Sequence, residues 1–544
     1  MTSSNACHTS KNAEDLKAEG NALHQSRQYQ AAYDKYSEAI KQNPENAVLW
    51  ANRAASSLAM KRYMDAISDA EKATTIDPGY AKAWGRQGTA NFALNIWPKS
   101  VDAFKKALEC LPSGNLSKPD QVLKAQFEEG LKKAQEAIRR PSFEPVIVPA
   151  GSVAQNNLPW KRAMAMEPSL LAQRRMDTSA LIVSYAFREF QRGLDDMKKI
   201  ETRVVNGQQA FFGVTGGIEA LSNAVLRERR VFHISDQNFF DTYNQQMMLE
   251  ASRCNAWTTQ GPQIIQAEAP KRLRTLGWGA LRPALAVTVR GWIMRGFLDS
   301  SFNLPGSSPE FLQYAIDVIE WGARMWKNVP RKDRGTIFDP TFLCGVKSLY
   351  LNLRMEAFSK NPKNAGYSME DIAKLAREII EQDLPPPGPG EEIDIGFYSS
   401  FYVYPKAHAL VILGWYYMQT ARKTKDTATS LKLYAESAEY YTQGANRFHA
   451  DDELHVSFLK YAIDAHWLAG TPLKVTLPIC KQIREAVPAM KKIWEYASSA
   501  QQRDQSIEEV LAFENQFRML LAEGKVTLEE SGNPDPVLKK ESKH

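Results

Sequence analysis

The sequence predicts an all-α protein: a superhelix of three helix pairs closed by a capping helix, then a larger, mostly helical, irregular solenoid-like region. Three observations carry this. Pro44, Pro78 and Pro112 recur every 34 residues. The same period aligns Leu16, Trp50 and Trp84; Gly20, Ala54 and Gly88; Tyr29, Tyr63 and Trp97; and Ala39, Ala73 and Ala107. From about residue 275 onward, apolar residues again recur at helical spacing. A repeat of this length marks a helix pair that cannot bury its apolar face alone and must stack on its neighbours.

Residues 1–12 are expected to be disordered, and 13–138 to form the repeat domain. Each repeat reads as two antiparallel helices, with small residues where they cross and a proline ending the second. That is the tetratricopeptide pattern. "PDQVLKAQFEEGLKKAQEAI" (119–138) interleaves charges with apolar residues at helical spacing, as a terminal cap requires. The stretch 139–160, rich in proline and polar residues, reads as a linker. Residues 161–274 mix a helix signal, "ALIVSYAFREFQRGLDDMKKIE", with extended runs near "VVNGQQAFFGVTGG", and no fold is assigned to them. Over 275–500 four helix pairs are expected: 275–298 with 308–327, 338–358 with 368–382, 403–421 with 428–446, and 452–469 with 473–497. "LPPPGPGEEIDIG" (384–396) must be a loop. In the third pair, Leu410, Leu413, Gly414 and Tyr417 repeat the spacing of a first repeat helix, and Ser437, Tyr441 and Gly444 suit its partner. Residues 501–544 read as a helix and a disordered tail.

Composition narrows the class. The chain has 544 residues, 68 Lys+Arg and 62 Asp+Glu, so its net charge of +6 gives no reason to expect a nucleic-acid partner. Five scattered cysteines without a CxxC pair fit reduced thiols in the cytosol. The N-terminus has no apolar core of a signal peptide. The run "ALVILGWYYM" (409–418) is too short for a membrane span. A cytoplasmic protein is expected.

In such arrays the first helix of each repeat lines the concave surface. Those helices carry Lys17 and Asn21, Asn52, and Lys82 and Arg86. Lys17 with Asn21, and Lys82 with Arg86, stand four apart and share a face. Three cations and two carboxamides in one groove supply charge-assisted donors for two carboxylates, such as a chain terminus and an adjacent Asp. The quintet resembles the dicarboxylate clamp of co-chaperone tetratricopeptide domains. With "KAEGNALH", "NPENAVLWANRAAS", "AISDAEKATTIDPGYAKAWGRQGTA" and "DAFKKALE", residues 13–112 are most similar to the small glutamine-rich tetratricopeptide-repeat family. The resemblance implies that all five residues bind the acidic C-terminal tails of cytosolic seventy- and ninety-kilodalton heat-shock chaperones. It implies a co-chaperone or adaptor coupling that tail to a client or targeting factor, for instance in post-translational targeting of tail-anchored membrane proteins. No dimerisation segment ahead of the first repeat and no glutamine-rich tail are expected.

Catalytic signals are weak. "GVTGG" (213–217) lacks the Lys-Ser/Thr of a P-loop and reads as a turn. His449 and His455 flank "ADDEL" (450–454), which reads as a helix cap rather than a metal site. His408, His466 and Cys480 read as helix-packing residues, and Trp278, Trp292, Trp321 and Trp326 as core. No catalytic residue, metal or cofactor is expected. The leading reading is a non-enzymatic adaptor with a second protein partner on its C-terminal half. The alternative is an enzyme whose catalytic domain, within 161–520, is recruited to chaperones by the same clamp.

Overall fold

The structure, a computed structural model, describes residues 12–139 and 157–532, apart from 95, 115, 206–207, 237, 302–307, 363–366 and 388–393. The N-terminal stretch 1–11, most of the expected linker 139–160, part of the expected loop 384–396 and the end of the tail lie outside the described residues.

Seven helices form the repeat array: α1 (Ala13–Gln25), α2 (Tyr29–Gln42), α3 (Ala47–Ala59), α4 (Tyr63–Ile76), α5 (Ala81–Ala93), α6 (Trp97–Glu109) and α7 (Lys118–Arg139). Local chemistry sets the boundaries. The side chain of Asn12 accepts from the Asp15 amide to cap α1, and Asn46 accepts from Val48 to cap α3. Arg27 and Lys61, one repeat apart, both turn the chain with left-handed φ of 62° and 59°. The aligned tryptophans bond to the aligned prolines: Trp50 Nε1 donates to the Pro44 carbonyl at 2.7 Å, and Trp84 Nε1 to the Pro78 carbonyl at 2.8 Å. Each contact ties the first helix of one repeat to the turn that ends the repeat before it.

The small-residue column marks helix crossings. A Cβ on Gly20 would stand 2.6 Å from the Tyr36 ring, and one on Gly88 would stand 2.9 Å from Phe104. The cap seats itself the same way, pressing Phe127 onto Gly85, where a Cβ would meet the ring at 2.1 Å. Leu16, Ala39, Ile40 and Leu49 fill the first inter-repeat core, and Phe104, Ala107 and Phe127 the last.

The chain divides into two compact units. The first joins Met1–Glu144 to Arg253–Trp321, and the second joins Pro145–Ser252 to Gly322–His544. In the first unit the helical segment Pro262–Ser301, broken at Gly277 (φ 70°), packs against α4. Gly261 lies so close to α4 that a Cβ there would stand 1.8 Å from Asp65 Oδ1. Arg295 Nη2 donates to the Leu94 carbonyl at 2.9 Å. Residues 253–321 straddle the two sequence ranges divided at 274, and periodicity gives no sign that they pack on the array.

Among its described residues the second unit is mostly helical, with one antiparallel hairpin, Glu201–Val205 with Gln208–Phe212. Its main helices are Pro159–Ala172, Ser179–Met197, Gly217–Glu228, Pro340–Lys360, Met369–Glu381, Tyr404–Lys423, Thr427–Ala445, Glu453–Ala469, Leu473–Trp494 and Ala500–Ala522. The pair Tyr404–Lys423 and Thr427–Ala445 crosses as the repeats do. Gly414 abuts Tyr441, Gly444 abuts Val411, and Ser437 Oγ donates to the Gly414 carbonyl at 2.8 Å. In the third repeat Ser100 Oγ donates to the Gly88 carbonyl at the same distance. The shared device is a buried serine bonded to the backbone of a glycine on the facing helix.

Candidate peptide-binding groove

The five sequence-predicted residues lie on α1, α3 and α5, the first helices of the three repeats. Asn21 and Asn52 touch: Asn52 Nδ2 donates to Asn21 Oδ1 at 3.1 Å. The Tyr36 hydroxyl donates to the same oxygen at 2.7 Å. With its oxygen held by two donors, Asn21 keeps its NH₂ group as a donor for something else.

Arg86 carries the strongest electrostatic signature. Its Nη1 is buried without a hydrogen-bond partner among the described residues. Burial lowers its pKa from the ordinary guanidinium range, with the Tyr80 and Tyr36 hydroxyls acting in the opposite direction. A desolvated cation with an unused donor costs free energy that an incoming anion recovers. Lys82, one turn back, is exposed and has no ion-pair partner among the described residues. Lys17 pairs with Glu14 on its own helix, a surface contact that a competing carboxylate can replace at little cost. The groove therefore presents a partly buried arginine, two accessible lysines and an oriented carboxamide.

Two residues beside the quintet carry a sequence signal that residue type alone obscured. His24 is three residues beyond Asn21, and Ser56 is four beyond Asn52, so each continues its helix's inner strip. His24 Nδ1 lies 3.0 Å from Ser56 Oγ, and its ring meets Tyr29 edge-on with centroids 5.1 Å apart.

The weaker candidates resolve into structural roles. Gly216 (φ 108°) precedes the helix Gly217–Glu228, and the Gly216 and Ile218 amides both donate to Glu250 Oε1 at 3.1 Å. A carboxylate of the protein thus occupies the place a phosphate would need. Asp452 caps Glu453–Ala469 by accepting from the Leu454 amide at 3.0 Å. His455 Nδ1 sits 2.8 Å from the Ala445 carbonyl, and His449 Nε2 lies 3.1 Å from Ser399 Oγ. His466 bonds Thr471, and burial pushes the Cys480 thiol up to about 12, so it is not a thiolate nucleophile at neutral pH. Trp292 and Trp326 are buried, packed edge-on against Tyr314 and Phe338. In the second unit, Arg227, Arg229 and Arg230 line a cavity of about 150 Å³ with Ser400 and His408. Each arginine is committed to carboxylates: Arg227 to Asp394, Arg229 to Glu356, and Arg230 to Glu228 and Asp452. Burial, with Arg229 and Arg230, holds the His408 pKa down at about 3, so its imidazole is neutral.

No family model matches the chain. It is 37% identical over 130 residues to small glutamine-rich tetratricopeptide repeat-containing protein 2 of Saccharomyces cerevisiae, covering 24% of this chain and 36% of that protein. Over 127 residues it is 35% identical to a heat-shock protein cognate co-chaperone of Aspergillus fumigatus, covering 23% of this chain and 36% of the relative. The Hsp70-Hsp90 organizing protein of Triticum aestivum is 34% identical over 128 residues, covering 24% of this chain and 21% of that protein. The chain spans about a third of the length of the first curated relatives it matches. Among solved structures, the tetratricopeptide domain of Sgt2 from Aspergillus fumigatus is 31% identical, covering 26% of this chain and 91% of that one, with a TM-score of 0.21. Among the described residues, no helix is long and apolar enough to cross a membrane. The chain is thus similar, over its N-terminal repeat segment, to small glutamine-rich tetratricopeptide proteins and to Hsp70-Hsp90 organizing proteins.

Proposed function

We propose that the protein is a cytosolic co-chaperone adaptor whose groove binds the acidic C-terminal tail of seventy- and ninety-kilodalton heat-shock chaperones. The observation that carries the proposal is Arg86 on α5, whose Nη1 is buried and without a partner among the described residues, on the helix that also carries the exposed Lys82. Lys17, Asn21, Asn52, Lys82 and Arg86 are the tail ligands in this reading, with two carboxylates shared among three cations and two amides. The repeat segments of relatives named as co-chaperones and chaperone organizers support the same partner class.

The C-terminal half holds a second protein, a client or a targeting factor, including one that delivers tail-anchored membrane proteins. The tryptophans from Trp160 onward serve mainly as core, and exposed side chains such as Met248, Tyr398, Tyr461 and Tyr496 offer the apolar surface for a second recognition site. The protein acts by joining partners and not by catalysis.

The test is calorimetric titration of the full chain with an acetylated peptide ending in Glu-Glu-Val-Asp. Micromolar affinity, about −8 kcal/mol, is expected for the free acid. Amidating the terminal carboxylate should weaken it by about 1.5–3 kcal/mol. Equal affinity for the two peptides would remove the clamp assignment. The adaptor role is tested by affinity capture from lysate: Lys82→Ala should lose the chaperone and keep the second partner.

A further inference from the structure

We infer that His24 is a further ligand-facing residue of the groove, taking up one proton as an acidic peptide docks on Arg86. The inference rests on the clamp reading above and adds to it a sixth residue and a pH dependence.

Geometry places His24 on the site. Lys17, Asn21 and His24 follow each other at i, i+4 and i+7 on α1, so one strip carries all three. Across the groove floor His24 meets α3 through Ser56, itself four residues beyond Asn52. The hydrogen-bond network favours one tautomer. Ser56 Oγ donates to the Asn52 carbonyl at 3.4 Å, which leaves its lone pairs to accept from His24 Nδ1–H at 3.0 Å. In that tautomer the neutral ring carries its proton on Nδ1 and an open lone pair on Nε2. A proton added at Nε2 creates a second donor without disturbing the bond to Ser56.

The groups around the ring set the direction of the response. From α1's neighbours these are the Ser56 hydroxyl on α3, the Tyr29 ring on α2 and the Arg86 guanidinium on α5. Among them only Arg86 is charged. Partial burial, and then the positive charge of Arg86, lower the His24 pKa in the free protein, so the ring is neutral near pH 7. A carboxylate on Arg86 cancels that positive field and puts a negative charge beside the ring. Both changes favour the imidazolium, so binding draws one proton from solution onto Nε2. By linkage, affinity then rises as pH falls through the window between the bound and free values.

The experiment is calorimetric titration of the full chain with the acetylated Glu-Glu-Val-Asp peptide at pH 6, 7 and 8. At each pH, two buffers of different ionisation enthalpy report protons taken up. The expected result is net uptake, with Kd tightening about 3- to 10-fold from pH 8 to pH 6, against a ceiling of about tenfold per pH unit for one proton. His24→Phe and His24→Gln, checked for unchanged helicity by circular dichroism, should still bind at pH 8 while losing both the uptake and the pH slope. Binding by the wild type with no uptake, or an unchanged slope in both variants, overturns the role of His24 and leaves the clamp standing. Absence of binding at every pH overturns the clamp, and this inference with it.

Discussion

Asn52 Nδ2 reaches across from α3 to donate to Asn21 Oδ1 on α1, 3.1 Å away, and thereby decides which end of Asn21 faces the groove. The contact joins the first two repeats at the point where the sequence places two carboxamides among three cations. Replacing Asn21 by Asp should set a carboxylate against the incoming tail and leave Asn52 its acceptor. Peptide affinity is expected to fall by about 1.5–3 kcal/mol, with thermal stability nearly unchanged. An Asn21→Asp protein binding the peptide as the wild type does would place Asn21 outside the site.

Lys82→Ala and Arg86→Ala should each cost about 1.5–3 kcal/mol of peptide affinity, but they should differ in salt dependence. Lys82 is exposed, so its share is screened and shrinks at high salt; Arg86, whose Nη1 is buried, should retain more of its share. Titrations at low and high ionic strength compare the two. Identical salt slopes would contradict the burial difference on which the reading of Arg86 depends.

Arg53 grips Asp69 through two hydrogen bonds, Nε to Oδ2 at 2.9 Å and Nη2 to Oδ1 at 2.6 Å, in the second repeat. Asp69 is almost completely buried, and the guanidinium also lies over the Trp50 ring, 4.8 Å from its centroid. Arg53→Ala removes the partner and strands a buried carboxylate, with an expected loss of about 3–5 kcal/mol of stability by chemical denaturation. The double variant Arg53→Ala with Asp69→Ala should recover part of that loss. Additive losses would show that the pair is not coupled.

Glu310 should make stability fall as pH rises. Burial pushes its pKa from the ordinary 4.5 to about 9, against a weaker opposing pull from Lys61, and its Oε2 has no partner among the described residues. The folded state thus holds a proton that the unfolded chain releases above about pH 4.5. The cost of holding it grows from there until the folded group itself ionises near pH 9. Glu310→Gln should match the wild-type melting temperature near pH 5 and exceed it increasingly up to pH 8, read by scanning fluorimetry. Parallel melting curves across that range would mean that Glu310 ionises freely in the folded protein.

The sequence alone determined the repeat array, because the information is local and periodic. The prolines mark where Trp50 and Trp84 anchor each turn, and the glycines mark where Tyr36 and Phe104 need room. The i, i+4 spacing likewise puts Lys17 with Asn21 and Lys82 with Arg86 on shared faces, whatever the helices pack against. The helices beyond residue 275 were legible for the same reason. Burial and partnership were not, since both depend on neighbours that no local window contains. Lys82 and Arg86 read alike in sequence, yet packing leaves one exposed and buries part of the other without a partner. His24 stood on the same strip as Lys17, but only the fold brought Ser56 to its Nδ1 and the charge of Arg86 to bear on it. Nor does any periodicity reveal that Arg253–Trp321, more than a hundred residues past α7, belongs to the unit of the array. That grouping depends on contacts such as Gly261 against Asp65, where the absence of a side chain lets two distant segments approach. Helix formation follows from residue order; which charges are desolvated, and by whom, follows only from what the folded chain packs together.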